Sequence, residues 1–165
     1  MISEILIQNA DIVVTMDDNH RELAQTDIKM SDGVITEIGE NLSTMGETIL
    51  ASGCVVTPGL VNTHHHLYQS LTRAVPEAQD ALLFGWLRSL YPIWARMTPD
   101  HFHVSAQVGL AELALSGCTL SSDHLYLFPN GTRLEDTIHA ASELGLRFQP
   151  TRGAMSIGES AGGLP

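Results

Sequence analysis

The spacing of hydrophobic residues changes near residue 57 and divides the chain into two parts. Up to that point, short runs rich in Ile and Val alternate with polar turns. Beyond it, apolar runs typical of buried strands alternate with stretches in which apolar residues recur every three or four positions, as in amphipathic helices. We therefore predict two domains, a small β module over residues 1–57 and an α/β domain over residues 58–165.

The first part is predicted to be a small β-sandwich-like module. Ile5–Ile7 and Ile12–Thr15 are typical of strands, and Asn9–Asp11 is typical of a turn between them. A hairpin is expected over Ile28–Ile38, because a tight Ser-Asp-Gly turn separates its two apolar runs. Alternation along the second run, Val34–Ile38, predicts one buried and one exposed face.

The second part is predicted to alternate strands and helices. Strands are expected over Val55–Thr63, Cys118–Asp123 and Leu146–Arg152, and helices from Asp80 to about Leu90, from Thr98 to Gly117 and from Thr132 to Gly145. Thr98 followed by Pro99 suits a helix start, and the two glycines suit the position after a helix end. Thr132 and Glu135 have the spacing of a capping box. Because strands and helices alternate, we predict a parallel sheet with right-handed crossovers.

Three consecutive histidines follow the apolar run Val55–Thr63. On a strand, alternate side chains share a face, so His64 and His66 point one way and His65 points the other. Two imidazoles on one face supply half of the ligands of a four-coordinate transition-metal site, whereas on a helix they would point roughly 200° apart. The pattern therefore favours a metal site at the end of a buried strand, and the alternative is a solvated loop.

The position of the histidines favours a (β/α)8 TIM-type barrel over an open doubly wound sheet, because barrel active sites lie at the carboxyl ends of the strands. Neither a Gly-x-Gly-x-x-Gly motif nor a phosphate loop follows the first strand. A complete barrel needs about 250 residues, and Pro58–Pro165 can supply about three of its βα units. We therefore expect only the N-terminal part of a barrel here, and we expect the chain to continue.

Charge and cysteine content narrow the choice of partner. The net charge of −11 argues against a nucleic-acid backbone or an anionic membrane as partner. Cys54 and Cys118 are too few and too far apart for a disulfide framework. Neither a targeting segment nor an apolar run of membrane-spanning length is visible. These features predict a cytoplasmic protein whose partner is neither a nucleic acid nor a membrane.

The segment Pro58–His66 resembles the first barrel strand of the amidohydrolase superfamily, which typically ends in a His-x-His pair preceded by Pro-Gly. Its continuation, Leu67–Arg73, resembles the subgroup of aromatic-ring deaminases and triazine hydrolases. Together with Asp80–Leu87 and Tyr91–Arg96, it is most similar to the bacterial 8-oxoguanine deaminases. The resemblance covers nearly the whole chain.

This resemblance implies a zinc-dependent enzyme that converts 8-oxoguanine to uric acid and ammonia, and a homo-oligomer is expected. His64 and His66 would bind a single divalent metal, zinc or another such as Fe²⁺. The family's other ligands and its acid–base residues follow later barrel strands, so the catalytic residues are expected beyond residue 165. Two alternatives remain: a hydrolase acting on guanine, a triazine or another amino- or chloro-heterocycle, and a non-catalytic metal-binding domain.

Four residues are candidates for binding the heterocycle. Gln69 follows the strand end, where its amide can either contact a ring edge or form a structural hydrogen bond in the loop. Trp94 can wall an aromatic substrate or belong to the core. Tyr126 follows His124 in the loop after the second strand, on the same side of the expected barrel. Arg152 closes the third strand and can reach an oxo group or an anionic ring, or form a salt bridge.

Overall fold

The computed structural model describes residues 4–161. The outermost residues of the two predicted domains, 1–3 and 162–165, lie outside this range. The chain divides into two compact units, Met1–Pro58 and Gly59–Pro165.

The first unit is built from strands, whereas the second combines strands and helices. The first unit contains the strands β1 (Glu4–Val14), β2 (Glu22–Ser31), β3 (Val34–Gly39), β4 (Glu47–Leu50) and β5 (Val55–Val56). The second contains β6 (Leu60–Asn62), α1 (Leu83–Trp94), α2 (Pro99–Leu115), β7 (Cys118–Leu125), α3 (Leu134–Leu144) and β8 (Arg147–Arg152). Short 3-10 helices occupy Leu67–Thr72, Pro76–Ala78, Pro129–Gly131 and Glu159–Ala161. None of the helices in residues 4–161 combines the length and the apolar character needed to cross a membrane.

The first unit is one mixed sheet in the strand order β3-β2-β1-β4, and β5 also pairs with β1. The β1–β2 and β2–β3 pairs are antiparallel, whereas β4 and β5 run parallel to β1. Residues 4–58 therefore form a single sheet and not the two facing sheets of the sandwich-like arrangement. The short strand β4 was not expected, because its four residues carry too little pattern to be distinguished from a loop.

The turn predicted at Asn9–Asp11 is instead a β-bulge inside β1. The register between β1 and β2 shifts between Ile7 and Ala10, and Asn9 has a φ of 60°. Asparagine tolerates this left-handed conformation better than most residues. Its backbone N–H donates to Oδ1 of the buried Asp27 at 2.7 Å. Because this side chain satisfies the irregular backbone group, the strand continues through the bulge.

The predicted hairpin is confirmed, since β2 and β3 are joined at Asp32 and Gly33, whose φ values of 50° and 79° are both positive. The predicted burial pattern is wrong, because every residue of Val34–Ile38 is exposed. The reason is that β3 lies at the edge of a single sheet. The core of the unit is instead built on β1 and β2, with a contribution from the segment before β5: Ala10, Val13, Ile28 and Ala51.

The second unit contains the parallel sheet that alternating elements predicted, in the strand order β6-β7-β8. The single strand expected over Val55–Thr63 is wrong, because β5 pairs with β1 in the first unit while β6 pairs with β7. Pro58 lacks the N–H that a continuous ladder would need. A Cβ at Gly59 would collide with the side chain of Thr119. These two residues separate the two strands.

Helix α2 has the boundaries that its capping residues predicted. It begins at Pro99 after Thr98 and is followed by Gly117, which has a φ of 88°. His101 completes the N-terminal cap, because its Nδ1 accepts the N–H of Thr98 at 3.2 Å. The end of α3 at Gly145, with a φ of 69°, is also as predicted.

Two helix starts differ from the prediction. Helix α1 begins at Leu83 and not at Asp80, whose φ of 58° is left-handed and cannot continue a helix. Helix α3 is capped one residue later than expected, because Asp136 and not Glu135 accepts the N–H of Arg133, at 2.8 Å.

Two apolar clusters fix the helices on the second unit. The first joins α1, α2 and the end of β7 and includes Tyr68, Leu90, Tyr91, Trp94, Phe102 and Leu125. The second joins the 3-10 helix Leu67–Thr72, α2 and α3 and includes Leu67, Ala106, Leu110, Ala140 and Ala141. Along β7, burial alternates so that Asp123 is buried and His124 is exposed. The end of this strand therefore presents a carboxylate on one face and an imidazole on the other.

Replacing Asp27 tests the bulge. Its Oδ1 accepts the N–H of Asn9, its Oδ2 accepts the N–H of Leu42 at 2.9 Å, and the residue is 2% exposed. Asp27→Ala leaves both N–H groups without this partner and should lower the free energy of unfolding by about 3 kcal/mol. Urea denaturation followed by circular dichroism measures the change. Asp18→Ala, at an exposed position, is the control, and equal loss in both variants would contradict this role for Asp27.

Candidate functional site

Aromatic and imidazole rings gather at the carboxyl ends of β6 and β7. The ring centroids of His64 and His66 are 5.5 Å apart, and the ring of His66 is 5.4 Å from that of His124 and 5.3 Å from that of Tyr126. The ring of His65 lies against α2, where its Cε1 would be 3.7 Å from a Cβ at Gly109. His64 and His66 are thus neighbours, while His65 packs on the helix.

Two consecutive residues of β7 hold residues 64–67, the histidine turn, in place. Nδ1 of His66 lies 2.8 Å from the carbonyl oxygen of His124, and the N–H of His124 donates to the carbonyl oxygen of His65 at 2.9 Å. The N–H of Leu67 donates to Oδ1 of Asp123 at 2.8 Å. Because a carbonyl oxygen can only accept, Nδ1 of His66 carries the hydrogen and Nε2 keeps its lone pair. Nε2 is therefore the nitrogen that a metal ion can use.

Burial disfavours the charged forms of Asp123 and His65, the two titratable groups on the buried side of this turn. Burial raises the pKa of Asp123 to about 6, against the opposing effects of the Leu67 N–H and nearby His66. Burial also lowers the pKa of His65, and the charges of His66 and Arg73 lower it further. Oδ2 of Asp123 and Nδ1 of His65 are buried without a hydrogen-bond partner in the part of the chain that the structure describes.

The chemistry of the donors fits a transition metal in part. Imidazole nitrogens are ordinary ligands of zinc, and the hydrogen bond of His66 to a backbone carbonyl is typical support for such a ligand. Within residues 4–161, no group of three or more His, Cys, Asp or Glu side chains is arranged to hold an ion. His64 and His66 therefore supply two donors, fewer than the three protein ligands of a typical catalytic zinc site.

A cleft of about 430 Å³ opens beside His66. This volume lies within the range of small-molecule sites, about 300–1,000 Å³. Its polar lining comes from His66, Gln69, His124 and Tyr126, and its apolar lining includes Leu83, Trp86, Leu87 and Met155. A cleft with apolar walls and a few polar groups suits a small organic ligand.

Gln69 is oriented by two tyrosines. Its Nε2 donates to the hydroxyl oxygen of Tyr68 at 3.1 Å and lies 3.5 Å from that of Tyr126. Burial raises the pKa of Tyr68 far above its usual value, so this hydroxyl stays neutral. Because the amide nitrogen is engaged by the tyrosines, Oε1 of Gln69 is left as the acceptor for a ligand.

The other two substrate candidates lie outside this cleft. Trp94 is 0% exposed, and its Nε1 donates to Oγ1 of Thr72 at 3.0 Å. This placement corresponds to the core alternative for Trp94. Arg152 lies in a neighbouring cleft of about 320 Å³ that shares Tyr126, with its guanidinium carbon 4.9 Å from the centre of the Phe128 ring.

Sequence reasoning did not single out Asp123, although a carboxylate within a largely uncharged strand is a signal that could have found it. It also gave no role to Ser105 of α2, whose hydroxyl donates to the carbonyl oxygen of Leu67 at 2.7 Å. A serine within an amphipathic helix carries no such signal. Its partner can be found only from the way α2 packs.

Parallel strands alternating with helices, with imidazoles beyond the carboxyl end of the first strand, define an α/β domain. The model of the amidohydrolase family matches residues 55–162. The chain belongs to the amidohydrolase family, which confirms the resemblance seen at Pro58–His66.

Relatives of this chain include deaminases and a chlorohydrolase. The 8-oxoguanine deaminase of Pseudomonas aeruginosa is 55% identical over 117 residues, which are 70% of this chain and 26% of that protein. An isoxanthopterin deaminase from an unknown prokaryote is 38% identical over 157 residues, 90% of this chain and 33% of that protein. The crystal structure of an atrazine chlorohydrolase from Arthrobacter aurescens TC1, complexed with zinc, has a TM-score of 0.85 and 32% identity over 98% of this chain and 38% of that one. The chain thus spans about a quarter to two fifths of the length of these proteins.

Replacing one glycine in α2 and one in α1 by alanine tests how tightly α2 packs against the segment that carries the site. A Cβ at Gly109 would lie 2.8 Å from both Cδ2 of Leu67 and Oγ of Ser70, whereas a Cβ at Gly85 of α1 would meet only Ala81, at 3.7 Å. Gly109→Ala should therefore lower the free energy of unfolding by about 1–3 kcal/mol through overpacking. Gly85→Ala should raise it by up to about 1 kcal/mol through helix propensity. Urea denaturation of both variants measures the two signs, and a stabilised Gly109→Ala protein would show that the packing is looser than described.

Proposed function

We propose that this chain contributes to the active site of a zinc-dependent deaminase that converts 8-oxoguanine and water to uric acid and ammonia. One observation carries the proposal: His66 presents a free Nε2 at the edge of a cleft in which Oε1 of Gln69 is left as an acceptor. The 55% identity to a protein named as an 8-oxoguanine deaminase supports the choice of substrate.

His64 and His66 would hold the metal. When bound, a divalent metal ion supplies an activated water nucleophile at neutral pH. The zinc in the related atrazine chlorohydrolase supports zinc as the metal, and Fe²⁺ is the alternative. The role of His124 is to hold the ring of His66 through its carbonyl oxygen, so that Nε2 keeps its lone pair for the metal.

The cleft residues would bind and orient the heterocycle. Oε1 of Gln69 accepts a ring N–H, while Trp86 and Leu87 pack on the apolar ring surface and exclude water. Arg152 reaches an oxo group from the neighbouring cleft, which shares Tyr126 with the first. In the overall reaction, a C–O bond forms at the ring carbon that carries the exocyclic amine. The C–N bond breaks, and the amine leaves as ammonia.

We further propose that β6, β7 and β8 are the first three strands of a (β/α)8 barrel in a cytoplasmic homo-oligomer. The TM-score of 0.85 against the atrazine chlorohydrolase supports the barrel. Cys54 and Cys118 are free thiols, as suits a reducing compartment. The catalytic acid and base are expected from other strands of the barrel, beyond residue 165.

A triazine hydrolase is the second candidate, because the structural similarity to the atrazine chlorohydrolase extends over 98% of this chain. Full-length protein incubated with 8-oxoguanine, guanine, isoxanthopterin and atrazine separates the candidates by release of ammonia or chloride. Release of ammonia from 8-oxoguanine in preference to the others is expected. Bound zinc with no turnover of any of these compounds would instead indicate a non-catalytic metal-binding domain.

His66→Ala tests the metal centre. Because Nε2 of His66 is proposed as a ligand, the variant should lose both bound zinc and release of ammonia. Atomic emission measures the metal and a coupled assay measures ammonia. His139→Ala, at an exposed position of α3, is the control and should keep both. A His66→Ala protein with full zinc content would remove His66 from the metal site.

Gln69→Ala tests recognition of the ring. The variant should keep its zinc but lose about 1–3 kcal/mol of transition-state stabilisation, roughly tenfold to a hundredfold in kcat/KM, because a ring N–H loses its acceptor. The loss should differ between 8-oxoguanine and guanine. Gln107→Ala is the matched control, since the Gln107 amide donates to Glu143 on α3 and does not line the cleft. Unchanged kcat/KM on both purines would limit Gln69 to a structural role.

A further inference from the structure

We infer that Asp123 and Ser105 are positioning residues that hold the histidine turn, residues 64–67, in the conformation that binds metal. The inference rests on the proposed function, since it assigns these two residues to the support of a metal site. Neither side chain faces the cleft, and both act through the backbone of Leu67.

Asp123 bonds the residue that directly follows His66. Its side chain is 0% exposed, and Oδ1 accepts the N–H of Leu67 across 56 positions of sequence at 2.8 Å. With the two hydrogen bonds of His124, residues 65, 66 and 67 are each tied to one of two neighbouring residues of β7. The turn is therefore attached to the adjacent strand at every residue from His65 to Leu67.

The cost of burying Asp123 indicates that it is retained for more than packing. Its Oδ2 has no hydrogen-bond partner in the part of the chain that the structure describes, and a buried polar atom without a partner is destabilising. An uncharged acceptor could satisfy the single N–H of Leu67 at lower cost. Proteins concentrate such unfavourable groups at functional sites, where they fix geometry.

Ser105 bonds the next peptide group along the chain, which joins residues 67 and 68. It is 0% exposed on α2, its hydroxyl donates to the carbonyl oxygen of Leu67 at 2.7 Å, and its Oγ accepts the N–H of Leu71 at 3.3 Å. Gln69 lies between these two anchored residues. Ser105 thus connects the turn that carries His66 to the helical turn that carries Gln69.

The turn depends on these bonds because its own helix provides little restraint. The segment Leu67–Thr72 is a 3-10 helix, whose hydrogen-bond geometry is poorer than that of an α-helix. Its N-cap residue is His66, which forms no side-chain cap. Asp123 and Ser105 therefore set the orientation of the two peptide groups that flank Leu67, and the first of these contains the carbonyl of His66.

Zinc affinity of the full-length protein tests the inference, measured by competition with a zinc-chelating dye. Asp123→Ala should raise the dissociation constant for zinc about tenfold to a hundredfold, the range found when support of a ligand is lost. Asp123→Asn keeps an acceptor oxygen for the N–H of Leu67 and should restore most of the affinity. A loss of affinity that the asparagine variant rescues is not expected from a general loss of stability.

Ser105→Ala and Thr137→Val form a matched pair of variants. They test whether bonds to the histidine turn affect zinc affinity, even where Asp123→Ala fails to fold. Both residues are 0% exposed hydroxyls in helices, but the hydroxyl of Thr137 donates to Leu134 within α3 and does not contact the turn. Ser105→Ala should weaken zinc binding by at least about threefold. Thr137→Val should lower the melting temperature comparably while leaving the zinc affinity unchanged.

The outcomes separate the two proposals. If the wild-type protein binds no zinc, the proposed function fails, and the positioning role fails with it. If the wild-type protein binds zinc and folded Asp123→Ala or Ser105→Ala binds it equally well, only the positioning role is overturned. Equal weakening by Ser105→Ala and Thr137→Val would likewise overturn it, because the effect would then follow stability and not the turn.

Discussion

The parallel pairing of β6 with β7 is the constraint on which the site depends. It places the chain after β6 beside Asp123 and His124, where three hydrogen bonds join residues 65–67 to the neighbouring strand. One of these bonds determines which nitrogen of His66 carries hydrogen. The same pairing therefore positions the imidazole and selects its tautomer, so that the fold and the chemistry of the site have a common origin.

Because side chains alternate along β7, the two faces of the sheet carry residues with different roles. Asp123 and Leu125 face the helices. Asp123 accepts the N–H of Leu67, and Leu125 packs in the same apolar cluster as Phe102. His124 faces the side on which His66 and Tyr126 lie. Polar support and apolar packing thus occupy the helix face, and the rings that line the cleft occupy the other. A shift of one residue in the register would exchange these environments.

The buried polar atoms that lack partners are unevenly distributed in the described residues. Nδ1 of His65 lies within the histidine turn and Oδ2 of Asp123 beside it, while Oγ1 of Thr132 lies just before α3. The first two are located where the backbone must hold His66, and each is a destabilising feature by itself. Stability elsewhere offsets them, notably the aromatic packing of Tyr68 with Trp94 and Phe102.

Local chemistry in the sequence determined the parallel α/β character of the second unit, the limits of α2 set by Thr98 and Gly117, and the histidine pair after its first strand. These features depend on neighbouring residues alone, since capping, turn formation and strand alternation act over a few positions. Tertiary structure decided the rest. Asn9 continues a strand because Asp27, 18 positions away, accepts its N–H, and Trp94 is buried because α1 packs on Tyr68 and Phe102. Leu67 bonds Asp123, 56 positions away, and Ser105, 38 positions away. Strand pairing and helix packing brought these two residues to the site, and no local pattern encodes either.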